Sequence, residues 1–183
     1  ISPDTDGSKT INLDSDVGSG KDYFIYAVDN VGNISGHFKI TVIKDTSSPT
    51  ITNYSLKGES GGASYINIAD GGKVTATLTV SKPVVGVKII TFGGDILELP
   101  EPNLSEPENG LTVNGSTEGF TVDGSTITFD TVITTATELI IKGIKVTTTE
   151  GEKDITVTAT DSIGNTSAAA TQSNNPKIKQ DTV

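Results

Sequence analysis

Apolar and polar residues alternate from Lys73 to Val80. Val74, Ala76, Leu78 and Val80 fall on one parity, and Lys73, Thr75, Thr77 and Thr79 on the other. A period of two puts each set on its own face, so this stretch predicts a half-buried antiparallel strand. Ile155, Val157 and Ala159 alternate with Thr156, Thr158 and Thr160 in the same way. Between Leu139 and Val146 the apolar set starts on odd positions, Leu139 and Ile141, then moves to even ones, Ile144 and Val146. One extra residue at the change of phase restores the inward face. Gly143 stands there, which predicts a β-bulge. Thr, Val and Ile fill the ordered-looking stretches, and Gly, Asn, Asp and Pro interrupt them every ten residues or so. That is the rhythm of a sandwich or barrel. No stretch reads as a helix of three turns.

Two dipeptides mark tight hairpins. Asp123-Gly124 lies between Phe120–Val122 and Thr126–Phe129, and Asn114-Gly115 precedes them. Such pairs accept the positive φ that a two-residue hairpin loop requires. Pro100, Pro102 and Pro107 stand among Glu101, Glu106 and Glu108. Proline cannot donate to a ladder, so residues 100–110 predict an exposed loop.

The chain also repeats itself. Residues 21–33, KDYFIYAVDNVGN, align without a gap with residues 153–165, KDITVTATDSIGN, at an offset of 132. Lys, Asp, Ala, Asp, Gly and Asn are identical between the copies. Farther on, Asp45-Thr46 parallels Asp181-Thr182 at a spacing of 136. A repeat at this distance predicts successive domains of one type, not a short-period solenoid. Residues 1–46 then hold the C-terminal part of one repeat. Residues 47–183 hold a nearly complete second one, and Asp181-Thr182-Val183 begins a link to a third. The matching residues suit a hairpin corner between the last two strands. Asp29 and Asp161 bond to backbone N–H groups two residues on, Gly32 and Gly164 supply positive φ, and Asn33 and Asn165 tolerate it.

Composition narrows the function. The 183 residues are 33% hydrophobic, enough for a core without staples, and contain no Cys. The net charge is −10 and every basic residue is Lys. Nucleic-acid binders need a basic face and favour Arg, so nucleic acid is not an expected partner, nor is an anionic membrane surface. No apolar run approaches the roughly 20 residues of a spanning helix, and no segment resembles a signal peptide. The chain starts at Ile1 and reads as part of a longer polypeptide. It has no Trp, which weakens a carbohydrate platform, although Tyr remains available.

The arrangement resembles bacterial Ig-like domains found in tandem in adhesins and other surface proteins. The residues that carry the resemblance are Ala27–Asn33 (AVDNVGN), Ala159–Asn165 (ATDSIGN), the boundary Lys44–Pro49 (KDTSSP), and Lys73–Val84, an early strand closing in Ser-Lys-Pro-Val. They cover the ends of the repeat and not its middle. Residues 93–125 have no counterpart and lengthen the repeat by an insertion. The resemblance implies an all-β, Ig-like antiparallel β-sandwich in tandem repeats. It also implies an extracellular or bacterial cell-surface setting, neighbouring Ig-like repeats as partners, and a non-catalytic role as spacer or adhesion module.

The candidate sites follow from residue chemistry. Asp4, Asp6, Asp14 and Asp16 are a candidate Ca²⁺ site, since Ca²⁺ takes six to eight oxygens, several of them carboxylate. Their spacing is not that of an EF-hand, and the competing reading is a solvated acidic turn. Asp29/Asn33 and Asp161/Asn165 are weighed as metal ligands but fit a structural corner better. Phe24 and Tyr26 lie on the face opposite Tyr23, Ile25 and Ala27, so the first copy is apolar on both faces where the second has Thr156 and Thr158. They are a candidate interaction surface. His37, the one histidine, has no Cys or second His to complete a zinc site, and reads as a surface residue near the start of the last strand. No enzyme activity and no cofactor other than Ca²⁺ are expected. The competing function is a module binding a host or cell-surface glycan or protein through an exposed aromatic in 93–125, or an accessory domain of a secreted polysaccharide-degrading enzyme.

Overall fold

The computed structural model describes residues 20–59, 64–67, 72–82, 85–134, 136–173 and 177–181. The candidate calcium ligands Asp4, Asp6, Asp14 and Asp16 lie outside them. The chain divides into two compact units, Ile1–Thr46 and Ser47–Val183.

The described part of the smaller unit is a hairpin. Strand β1 (Lys21–Ile25) pairs antiparallel with β2 (Phe38–Val42), from Lys21↔Val42 to Ile25↔Phe38. An isolated bridge between Val28 and Ile34 carries the pairing toward the turn.

The larger unit is all-β and sandwich-like. In chain order its strands are β3 (Thr50–Gly58), β4 (Tyr65–Asn67), β5 (Lys73–Ser81), β6 (Val87–Gly94), β7 (Ile96–Glu98), β8 (Thr112–Val113), β9 (Phe120–Asp123), β10 (Thr126–Ile133), β11 (Thr137–Val146), β12 (Gly151–Glu152), β13 (Ile155–Asp161), β14 (Ala170–Thr171) and β15 (Lys179–Asp181). One sheet runs β14-β13-β6-β10-β9. The other runs β3-β5-β11-β7, with β8 also on β11. A small third sheet, β12-β15-β4, contains the parallel pair β15–β4. Among the described residues the sole helical segment is a 3-10 turn at Pro107–Asn109.

Inward residues of both large sheets share one core. Val74, Ala76, Leu78 and Val80 of β5 expose nothing, nor do Ile155, Val157 and Ala159 of β13. Fully burying a Val, Leu or Ile side chain contributes about 1.5–3 kcal/mol, so these two alternating strands are a large share of the stability. The two sheets also meet through a hydrogen bond. Tyr54 Oη of β3 donates to the Ile155 carbonyl of β13 at 3.0 Å. Burial, with Asp154 nearby, raises the Tyr54 pKa.

The bulge stands where the phase change puts it. Ile141 pairs with Ala76, but Ile144 pairs with Val74, so β11 spends one residue more than β5. Gly143 has φ +91°, and a Cβ there would sit 2.7 Å from the Gly110 carbonyl oxygen. Only glycine suits both conditions. Its N–H donates to Glu59 Oε1 at 2.7 Å, so the residue freed from the ladder keeps a partner. A second bulge lies in β3, where Thr52 pairs with Thr79 and Ser55 with Thr77. Asn53 there has φ +54°. The extra residue turns Tyr54 and Leu56 inward.

Residues 93–125 are integrated in the fold and are not an appended surface. They supply β7, β8 and β9, and place Leu99, Leu111, Val113 and Phe120 in the core. The Pro-rich stretch between Leu99 and Gly110 is largely exposed, with both end residues buried. Asn114 and Gly115 both have positive φ and close a two-residue loop between Val113 and Ser116. Gly124 and Ser125 close the β9–β10 hairpin, with Asp123 opposite Thr126.

Candidate functional site

The feature built most closely to a pattern is the corner that ends each repeat-matching strand, and it is the same in both units. The Asp29 carboxylate accepts from the N–H groups of Val31 (3.0 Å) and Asn33 (2.8 Å), and from Asn33 Nδ2 (2.7 Å). The Asp161 carboxylate accepts from Ile163 N–H (3.0 Å), Asn165 N–H (2.8 Å) and Asn165 Nδ2 (3.0 Å). Gly32 and Gly164 have φ +91° and +101°, and donate to the Asp29 and Asp161 carbonyls at 3.1 and 3.2 Å.

Sequence reasoning missed the residue that closes the corner. Ser35 Oγ accepts from Ala27 N–H at 2.9 Å and donates to the Gly36 carbonyl at 2.8 Å. Ser167 does the same with Ala159 N–H (3.0 Å) and the Ala168 carbonyl (2.8 Å). The signal was present, because Ser35 and Ser167 are also 132 positions apart and each lies six residues after its Asp. The motif is therefore Asp-x-x-Gly-Asn-x-Ser.

The copies differ in what meets the carboxylate. Lys82, just past the end of β5, places Nζ 3.1 Å from Asp161 Oδ2, and neither side chain exposes any surface. Burial pushes the Asp161 pKa up. The hydrogen bonds from Asn165, Lys82 and Ile163 outweigh it and hold the group below its ordinary value. Asp29 is exposed. The side-chain and backbone hydrogen bonds from Asn33 hold its pKa low.

A second lysine is buried a strand away. Lys153 Nζ donates to Thr147 Oγ1 (3.2 Å), Thr149 Oγ1 (2.9 Å) and the Thr149 carbonyl. It ties β13 to the turn after β11. Burial lowers its pKa against the opposing pull of Asp95.

Phe24 and Tyr26 lie on one face of the hairpin. They are 48% and 53% exposed. The His37 ring stands edge-on to Phe24 at 5.0 Å and tilted to Tyr26 at 5.8 Å. Next to them, Asp22 accepts from Thr41 Oγ1 at 2.7 Å and pairs with Lys39 at 2.7 Å. The Lys39 and Thr41 hydrogen bonds lower the Asp22 pKa. Phe120, the aromatic expected to be exposed in 93–125, is instead 6% exposed in the core. The insertion therefore offers no ring to a ligand. A shallow depression of about 340 Å³ lies over Phe92, Gly93, Gly94, Leu97 and Ser125, bordered by Glu98. The Glu98 carboxylate is held by Lys145.

Among the described residues, no three His, Cys, Asp or Glu side chains gather as a metal would require. No helix among them is long and apolar enough to cross a membrane. No protein-family model matches the chain. No curated protein matches it significantly.

Proposed function

We propose that the chain is a non-catalytic structural and adhesion module, built of tandem Ig-like sandwich repeats, in a secreted or surface-attached bacterial protein. The observation that carries this reading is the double occurrence of the Asp-x-x-Gly-Asn-x-Ser corner. The six hydrogen bonds described above recur at an offset of 132 residues, each agreeing within about 0.3 Å. A corner preserved in such detail is expected where one module type is used repeatedly.

The ionisable groups that the fold perturbs support the same reading. Asp161 holds a corner, Lys153 a turn and Tyr54 the other sheet, and Asp22 and Asp29 brace the hairpin. Each is spent on a structural bond.

The setting is tested by treating intact producing cells with an external protease. Peptides from residues 47–183 should be released before lysis. Their release only after lysis would overturn the surface assignment.

The exposed Phe24–His37–Tyr26 cluster favours a second reading, a glycan- or protein-binding module. Aromatic faces beside a Lys39–Asp22–Thr41 hydrogen-bonding group suit a polar ligand with one apolar side. Binding on a glycan array that disappears in Phe24→Ala/Tyr26→Ala would support it. An array with no signal for the unaltered chain would remove the glycan form.

A further inference from the structure

Two buried lysines of the larger unit are paired, Lys82 with Asp161 and Lys153 with the threonines of a turn. Two buried glutamines are not. Among the described residues, neither amide atom of Gln172 or of Gln180 has a hydrogen-bond partner, and all four atoms are buried. A buried amide gives up its bonds to water on folding, and without a replacement it weighs against the folded position. Native proteins hold few such groups. Both follow β14. Gln172 stands where the chain leaves the large sheet, and Gln180 stands in β15.

Strand β15 has little to set against that cost. It pairs over two residues with β12, Gly151↔Gln180 and Glu152↔Lys179, and over three with β4, from Lys179↔Tyr65 to Asp181↔Asn67. Two further backbone bonds hold its start. Lys153 N–H donates to the Ile178 carbonyl at 3.0 Å, and Lys179 N–H to the Ser64 carbonyl at 2.9 Å. The Lys179–Glu152 pair is 3.9 Å long and half-exposed, a geometry that contributes little. Ile178, just before the strand, is its one fully buried apolar anchor. A Cβ on Gly72 would lie 3.4 Å from Gln180 Oε1 and 3.6 Å from a Val146 methyl. The amide therefore lies over a bare glycine, beside an apolar side chain. The two large sheets keep their ladders without β15, since their strands pair among themselves.

We infer that β15 is a strap that opens while the two large sheets stay folded, and that the buried amide of Gln180 sets how often it opens. Opening returns the amide to water. It also bares Ile178 and frees the edges of β12 and β4, between which β15 lies. The inference does not rest on the tandem-repeat reading.

Amide exchange of the 183-residue chain, followed residue by residue by NMR, tests this. The reporters are the Lys153 and Lys179 amides, which bond across the strap's borders. They should exchange on the order of 100-fold faster than the ladder amides of β13, as a locally opening segment does. Low urea should change their rates little, because local opening exposes little surface. Gln180→Met keeps the length of the side chain without its amide. It should slow both reporters about tenfold, the effect of relieving one unmet buried polar group. Reporters no faster than β13 would overturn the strap. Fast reporters that Gln180→Met leaves unchanged or speeds up would show an amide already satisfied in the closed state, as by a held water, and would overturn its role.

Discussion

Lys82 Nζ lies 3.1 Å from Asp161 Oδ2, and both side chains are wholly buried. The pair joins the end of β5 in one sheet to the end of β13 in the other. Removing one partner of a buried pair strands the other charge without solvent, which costs about 3–5 kcal/mol. Asp161→Asn should therefore destabilise the larger unit by about that much in urea. Lys82→Met/Asp161→Asn removes both charges and should recover most of the loss. A double variant as unstable as the single one would show that the corner, and not the charge pair, sets the cost.

Acid should find the same pair. The folded pKa of Asp161 is depressed, while the unfolded value is about 3.9. The folded state thus binds its proton less readily than the unfolded chain. The stability this contributes is present above the unfolded pKa and is lost as pH falls through the folded one. A urea-midpoint profile against pH should drop in that acid window for the unaltered protein. The drop should be smaller in Lys82→Met/Asp161→Asn.

Gly143→Ala meets two obstacles, the positive φ and the Gly110 carbonyl 2.7 Å from the new Cβ. The expected loss is about 2 kcal/mol or more, with an unchanged denaturant slope. A midpoint within a few tenths of a molar of the unaltered protein would contradict the bulge geometry.

Ser167→Ala leaves the N–H of fully buried Ala159 without its acceptor, at a cost of about 1–3 kcal/mol. Ser35→Ala makes the same change beside exposed Ala27, where water replaces the hydroxyl. Urea unfolding of the larger unit should respond to the first substitution and not to the second.

The residues that were legible in the sequence are those whose neighbours in the chain carry the signal. Val74 to Val80 and Ile155 to Ala159 alternate cleanly, and the parity change around Gly143 marks the bulge. Asn53 was harder to read. Ile51, Tyr54 and Leu56 change parity there too, but Thr52, Asn53 and Ser55 read equally well as a turn. Leu111 was hidden because prolines and glutamates precede it, whereas Phe120 stood in a legible strand whose buried face the short run did not mark. Lys82 was illegible for a different reason. A lysine before a proline looks solvated, and its partner Asp161 lies 79 residues away. The two corners make the same point, since one local sequence gives an exposed Asp29 and a buried Asp161.

Tyr54 links the sheets through its hydroxyl, and its folded pKa is raised. The native state therefore keeps a proton that the unfolded chain releases above about pH 10. That contribution is complete below the unfolded pKa and is lost as pH rises toward the folded one. Tyr54→Phe should cost about 0.5–1.5 kcal/mol at neutral pH and flatten the alkaline decline. An alkaline profile identical to that of the unaltered protein would contradict the assignment.

A mechanical module resists force, so a single molecule is stretched by its two ends. Unit Ser47–Val183 should give way in one rupture that releases on the order of 450 Å of chain, the reach of its residues at about 3.3–3.6 Å each. Asp161→Asn should lower the rupture force. Gradual lengthening with no rupture, or the same force in the variant, would contradict a mechanical role for this unit.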